Sequence, residues 1–216
     1  MLLELRRLTV PPGQRVLLEE VSWHEFEIIL EELGEHRAAQ VAYDQGILEI
    51  MTPLPEHESG KVFIGDFVKA ILEELDIEFL SLGSTTLKNQ AMLQGIETDD
   101  CFYIENEAAV RGKDRLDLTI DPPPDLALEI DITSRTHPKI YAALGVPELW
   151  RFEKGELQIN ILQPDGTYAR RKRSGIFSNL SVIDNLPKYI HKSKVSGRNK
   201  TIKIFRQWVR DSVIGN

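Results

Sequence analysis

The chain has 216 residues, of which 42% are hydrophobic and 28% charged, a composition typical of a globular protein that buries a proper core. Its single cysteine, Cys101, excludes an internal disulfide and a cysteine-based zinc site. No apolar stretch approaches the roughly 20 residues that span a bilayer, so we expect a cytoplasmic protein without a membrane partner.

Charge is distributed unevenly along the chain. The net charge of -8 argues against a general nucleic-acid binder. Between Tyr168 and Arg210, however, twelve Lys and Arg residues accompany one acid, Asp184. Such a basic segment is suited to holding a phosphate-rich ligand, and the alternative is that its cations only solvate a terminal helix.

The first third of the chain predicts a helix, a hairpin and a second helix. Ser22 and Glu25 form a capping box before an apolar stripe that ends at Gly34. Residues 38–43 and 47–51 then flank Asp44-Gln45-Gly46, which predicts a hairpin with a three-residue loop. A further apolar stripe predicts a helix over residues 56–75.

The remaining elements are mostly short strands. Alternating or β-branched segments predict strands at residues 77–80, 85–87, 100–104, 115–121 and 124–133. Later patterns predict a helix over 135–144 that ends at Gly145, a hairpin of 148–152 with 157–161 about Lys154-Gly155, and a basic helix over 200–214.

This order of elements predicts an α/β or α+β fold, a mixed β-sheet flanked by helices. We expect a single domain over residues 1–216. Its parts are an N-terminal helix and hairpin at 20–51, a core at about 52–173 and a basic helical extension at about 180–216.

Three carboxylates in one strand are the strongest chemical signal. The period of a strand puts Asp125, Glu129 and Asp131 on one face, with no cation between them. A divalent ion such as Mg²⁺ or Mn²⁺ meets the need for a positive partner, because carboxylate oxygens are its preferred ligands. The alternative is the solvated face of an ordinary amphipathic strand.

Other enzyme classes lack their usual signals. The chain has no Gly-rich phosphate loop, no G-x-S-x-G elbow and no H-E-x-x-H motif, which argues against dinucleotide binding, serine hydrolysis and zinc proteolysis. A glycosidase acid/base pair is disfavoured because few aromatic residues surround the carboxylates.

Residues 123–134 (PPDLALEIDITS) and 140–150 (IYAALGVPELW) resemble the Uma-two family of restriction endonucleases, formerly a domain of unknown function, within the PD-(D/E)XK nuclease superfamily. Residues 43–51, His57 and residues 97–99 are similar to upstream parts of the family pattern. The resemblance implies a restriction-endonuclease-like core, in which acids on neighbouring strands bind Mg²⁺ and activate water to cleave DNA.

The same resemblance implies roles for individual acids. Asp99, in a Thr-Asp context where Pro-Asp is usual, and Glu129 correspond to the metal ligands. Asp125 corresponds to an acid that orients water or metal, and its alternative role is to hold the proline turn at the start of the strand. Asp131 is expected as a further acid and metal ligand, although it stands where the superfamily has a lysine.

Because an aspartate cannot supply the charge of that lysine, the cation has to come from elsewhere. In the family it lies on the following helix, which implies His137 or Lys139 here. Lys139 is preferred because lysine stays charged at pH 7, whereas histidine titrates near that pH. His57 is expected to flank the site, with helix capping as its alternative role.

The leading hypothesis is therefore a Mg²⁺-dependent or Mn²⁺-dependent DNA endonuclease, arranged as a homodimer if both strands are cut. Two alternatives remain. One is a nuclease-fold module that binds nucleic acid without cleaving it, because the motif lysine is missing. The other is an interaction protein with no nucleic-acid role.

Overall fold

The computed structural model describes residues 8–34, 39–130 and 137–214, except for the side chains of residues 55–58. In these ranges the chain forms a mixed α+β fold, as the sequence predicts, and it has six α-helices and two β-sheets where one sheet was expected. Each helix of the described part is too short or too polar to cross a membrane.

The described strands, in chain order, are β1 (Arg15–Leu18), β2 (Gln40–Asp44), β3 (Ile47–Met51), β4 (Leu80–Ser81), β5 (Thr86–Asn89), β6 (Gln94–Glu97), β7 (Asp100–Tyr103), β8 (Leu126–Ile130), β9 (Glu148–Glu153), β10 (Glu156–Leu162) and β11 (Tyr168–Arg171). The helices are α1 (Trp23–Leu33), α2 (Pro55–Glu74), α3 (Glu107–Val110), α4 (Pro138–Ala143), α5 (Val182–Ser196) and α6 (Arg198–Ile214).

The two sheets differ in their pairing. The first has the order β1-β3-β2-β6-β5 and is antiparallel throughout. The second has the order β11-β10-β9-β8-β7-β4, and its β8 and β9 are parallel. Because parallel neighbours need a crossover connection, the chain passes through α4 between these two strands.

Two tight hairpins fix the register of their strands. Gln45 and Gly46 have φ values of 47° and 97°, and Asp44 pairs with Ile47. Two central residues with positive φ define a type I′ loop, which matches the twist of the strands. The predicted three-residue loop was therefore wrong, because Asp44 belongs to β2. The predicted hairpin about Lys154-Gly155 is confirmed.

Residues 115–121 do not form the predicted strand. The Asp117 carboxylate accepts hydrogen bonds from the backbone N and Oγ1 of Thr119 at 2.9 and 2.7 Å, and Asp121 N donates to Asp117 O at 2.7 Å. These local bonds satisfy the backbone within a turn, which competes with strand pairing.

The sequence did not predict strand β6, because it contains Gly95, and glycine weakens strand propensity. The structure supplies the reason for this glycine. A Cβ at position 95 would lie 3.0 Å from Cζ of Phe26, so the strand passes directly under the buried ring of α1.

The C-terminal helices share the main core. Phe205 of α6 is fully buried, and its ring centroid lies 4.6 Å from that of Phe67 in α2. Three arginines of α6 form ion pairs with acids of α2. Arg198 pairs with Asp66, Arg206 with Glu73 and Glu74, and Arg210 with Glu74. These three cations therefore hold α6 against α2.

We predict that Phe205→Ala lowers the free energy of unfolding by roughly 3–5 kcal/mol, because it leaves a cavity between α2 and α6. Urea denaturation followed by circular dichroism measures this change. Val213→Ala, at a side chain that is 47% exposed on the same helix, should change the value by less than about 0.5 kcal/mol. A loss below about 1 kcal/mol for Phe205→Ala would mean that α6 does not share the core.

Candidate active site

Asp99 lies where the chain leaves the first sheet and enters the second, between β6 and β7. Its side chain is buried, and donors from both sheets hold it. Gln40 Nε2, from β2, donates to Asp99 Oδ1 at 2.7 Å. The backbone N of Ile130, from β8, donates to Oδ2 at 2.6 Å. The orientation of this carboxylate is thus fixed from two sides.

Glu129 projects from β8 towards the first sheet. Strand periodicity puts it on the same face as Ala127, which packs in the core shared with α4 and β6, while Leu128 and Ile130 pack on the opposite face. Tyr141, from α4, donates its hydroxyl to Glu129 Oε1. Because a buried tyrosine hydroxyl requires a partner, this contact fixes both the helix and the carboxylate.

The structure brings Asp99 and Glu129 together. Asp100 of β7 pairs with Leu128 of β8 in antiparallel register. Asp99 directly precedes β7, and its Oδ2 lies 2.6 Å from the backbone N of Ile130, the residue after Glu129. Two acids predicted from distant parts of the sequence therefore lie next to each other at the junction of the sheets.

Asp100 belongs to the other face of the second sheet. Ser81 Oγ and Gly83 N donate to its Oδ1 at 3.2 and 3.1 Å. Its Oδ2 lies so close to α2 that a Cβ at Gly65 would be 2.6 Å away. Burial raises the pKa of this carboxyl, although the charge of Lys69 and the hydrogen bonds partly oppose the shift. The neighbouring acids Asp99 and Asp100 thus have separate sets of partners.

Asp125 lies at the opposite end of β8 from Glu129, four residues away, which corresponds to roughly 13 Å along a strand. Its carboxylate accepts hydrogen bonds from Ile104 N at 2.6 Å and from Asn106 N and Nδ2 at 3.1 and 2.7 Å. The structure therefore does not bring Asp125 to the pair. The Asp125 carboxylate holds the turn that follows β7, and not the proline turn that was its alternative predicted role.

Two other predicted residues lie outside the described part of the structure. These are Asp131, as a whole residue, and the side chain of His57, whose backbone belongs to the first turn of α2.

Of the two predicted cations, His137 lies on the relevant side of α4. His137 is the N-cap of α4, and its imidazole reaches Glu49 of the first sheet, while Tyr141 of the same helix contacts Glu129. Lys139 is about 200° from Tyr141 around the helix, and its side chain is exposed. The preference for Lys139 is therefore corrected in favour of His137.

His137 is placed beside an acid that the sequence did not single out. Its Nε2 lies 3.4 Å from Oε2 of Glu49, outside hydrogen-bond geometry. Glu49 is a buried residue of β3, and Arg15 also contacts it at 3.3 Å. Glu49 pairs across the strands with Ala42, two residues after Gln40, so it shares the sheet face that carries Gln40.

Arg151 was also missed. In the parallel pairing of β8 and β9 it stands directly beside Glu129, on the same face of the sheet. Nη2 of its guanidinium lies 4.0 Å from Oε2 of Glu153. The sequence alone could not indicate Arg151 or Gln40, because only the pairing of their strands brings these residues to the site. Tyr141 offered one signal in the sequence, because the hydroxyl of a buried tyrosine needs a hydrogen-bond partner.

The donor set suits a hard divalent cation. Among the described residues, no group of three or more His, Cys, Asp and Glu side chains could hold a metal. Mg²⁺ is usually bound through only one or two carboxylates together with substrate phosphates, and Asp99 and Glu129 supply two. The residues present therefore fit Mg²⁺ or Mn²⁺ better than zinc, which prefers His and Cys ligands.

The mixed second sheet, with its crossover through α4, and the helices around it form a fold with a restriction-endonuclease-like core. A family model, Uma2, described as "Putative restriction endonuclease", matches residues 23–187, most of the chain. The chain belongs to the Uma2 family, as its sequence resemblance predicts. A search of curated proteins gave no match.

We predict that Asp100→Asn stabilises the protein at pH 7 by on the order of 1 kcal/mol, because it removes a buried charge and keeps an oxygen for Ser81 and Gly83. A raised pKa means that the folded wild type binds more protons than the unfolded chain. Its unfolding free energy therefore falls as pH rises above the ordinary value of 3.8, and levels off above the folded pKa.

Urea denaturation between pH 4 and 7.5 checks this prediction. The advantage of the variant should shrink towards pH 4. Asp114→Asn, at an exposed aspartate, should follow the wild type at each pH. An Asp100→Asn protein no more stable than the wild type at pH 7 would show that the buried carboxylate is not penalised.

Proposed function

We propose that this chain is a metal-dependent DNA endonuclease, with its active site at Asp99 and Glu129. The observation that carries the proposal is the juxtaposition of these two acids, one just before β7 and one in the adjacent strand β8, at the junction of the two sheets. Membership of the Uma2 family supports the reaction class. The acids supply what a phosphodiesterase of this class needs, which is a fixed, negatively charged oxygen cluster.

Asp99 and Glu129 are the residues that would hold Mg²⁺ or Mn²⁺. Such an ion supplies Lewis-acid chemistry, since it activates water and neutralises charge on a phosphate. The protein contributes preorganisation. Gln40 and the backbone of Ile130 fix Asp99, and Tyr141 fixes Glu129, so neither carboxylate has to reorganise when the substrate arrives.

Two residues near the acids could replace the lysine of the superfamily motif as the cation. These are Arg151 and His137. Arg151 stands beside Glu129 in the next strand and keeps its charge at neutral pH. It is suited to stabilising negative charge on the phosphate, but it cannot accept a proton from water. His137 can accept one. Lys139 is exposed and about 200° from Tyr141 around α4, so it is not proposed as this cation.

The substrate follows from the family, whose description names restriction endonucleases. One chain offers one pair of acids in its described part, so cutting both strands of a duplex requires two copies. A two-fold homodimer is the simplest arrangement that presents two equivalent sites.

We expect the purified protein to nick supercoiled plasmid in Mg²⁺ or Mn²⁺ and to be inactive in EDTA. Glu129→Gln should lower the rate about 100-fold or more, because it removes a charged ligand while keeping the shape of the side chain. Gel electrophoresis of the plasmid forms measures the rate, and circular dichroism verifies that the variant is folded.

Glu156→Gln is the matched control, because it removes an exposed acid from β10 of the same sheet. It should cleave like the wild type. A folded wild type that binds DNA in a salt-dependent way but does not nick it would favour the inactive binding module. A protein that neither binds nor nicks DNA would favour an interaction protein without a nucleic-acid role.

A further inference from the structure

A pocket of about 380 Å³ opens at the end of the second sheet, on the face opposite Glu129. Its apolar wall includes Ile130 and Phe152, the last paired residues of the parallel strands β8 and β9, and Ile190 of α5. This volume lies in the range of small-ligand sites. The pocket is large enough for a flat, apolar group, which could pack against this apolar wall.

The rim of the pocket is basic. Lys154, from the β9–β10 turn, and His191 and Lys194, from α5, line it. Among the described lining residues none is acidic. The ammonium of Lys154 also lies 3.2 Å from Glu153, but its side chain is 88% exposed and therefore accessible to a ligand. An apolar wall with a cationic rim complements a ligand that is apolar at one end and anionic beside it.

Helical geometry makes this a continuous surface. Pro187, Ile190, His191 and Lys194 follow the spacing of one helix face, so α5 presents apolar and basic groups together along the pocket. The family match ends at residue 187, so most of this face lies beyond it. The pocket therefore joins residues of the matched region, such as Ile130 and Phe152, to a helix face that continues beyond it.

The pocket and the acid pair belong to the same edge of the sheet. Ile130 contributes its side chain to the pocket and its backbone N to Asp99. Glu129, one residue earlier, faces the other way. The carboxyl ends of parallel strands are where open α/β sheets bind ligands, and β8 and β9 both end here. The pocket therefore lies one residue along β8 from Glu129, at the same end of the sheet and on its other face.

We propose that this pocket binds an unpaired nucleobase of the DNA substrate, with Lys154 and Lys194 on the adjacent phosphates. The inference rests on the proposed function and deepens it, because it names DNA with unpaired nucleotides near the cleaved bond as the preferred substrate. Base stacking on an apolar or aromatic surface does not depend on sequence, so no particular base is selected.

The test compares two fluorescent probes in EDTA by anisotropy: a pentathymidylate and a pentamer of abasic units with the same phosphates. The wild type should bind the pentathymidylate about tenfold or more tightly than the abasic pentamer. Ile190→Trp, which fills the pocket, should remove this preference and leave binding of the abasic pentamer unchanged.

The double variant Lys154→Gln/Lys194→Gln should weaken binding of both probes. It should also reduce the slope of log K against log salt by about 1.4, the value for two phosphate contacts on a single strand. Lys188→Gln/Lys192→Gln is the matched control, because it removes two charges from another face of α5. The control should change binding much less. Both lysine variants alter exposed residues, so they test the proposal even if Ile190→Trp does not fold.

Equal affinity for the two probes, or equal loss with both lysine pairs, would overturn the inference. So would laurate binding that depends on the pocket residues when pentathymidylate binding does not, because the occupant would then be a fatty acid. Since these assays contain EDTA, they are independent of cleavage. Plasmid nicking without a base preference would reject this inference alone, and a base preference without nicking would reject only the endonuclease proposal.

Discussion

The hydrogen bonds of Asp99 are the constraint on which the rest of the structure depends. This residue is buried between the two sheets and accepts one hydrogen bond from each, from Gln40 and from the backbone of Ile130. A buried carboxylate that lost these donors would cost several kcal/mol, so the sheets are held in one relative position. The hydrogen bonds that join the two sheets are therefore also the ones that orient Asp99 in the candidate active site.

The second acid depends on the unit formed by β8, α4 and β9. Parallel pairing of the two strands requires a crossover, and the crossover brings Tyr141 to Glu129 and aligns Arg151 beside it. One topological feature thus supplies the acid, the group that orients it and a neighbouring cation. The same strand end carries Ile130 into the pocket on the other face, which links the proposed substrate pocket to the acids.

Local features of the fold could be predicted because local physics decides them, as in the capped first helix and the Lys154-Gly155 hairpin. Strand β6 could not, because Gly95 is explained only by the distant ring packed against it. In the site, strand periodicity and family resemblance indicated Asp99 and Glu129. The partners of these acids come from strands and a helix whose pairing no local pattern encodes. Asp125 shared the predicted face but is separated from the pair by the length of the strand.

The central claim is that Asp99 and Glu129 together form a divalent-ion site. Titration of the purified protein with Mn²⁺, with free Mn²⁺ followed by electron paramagnetic resonance, tests it without reference to activity or DNA. The account predicts one site per chain in the wild type and in Glu156→Gln, and at least about tenfold weaker binding in Glu129→Gln. Equal Mn²⁺ binding by the wild type and a folded Glu129→Gln protein would contradict it.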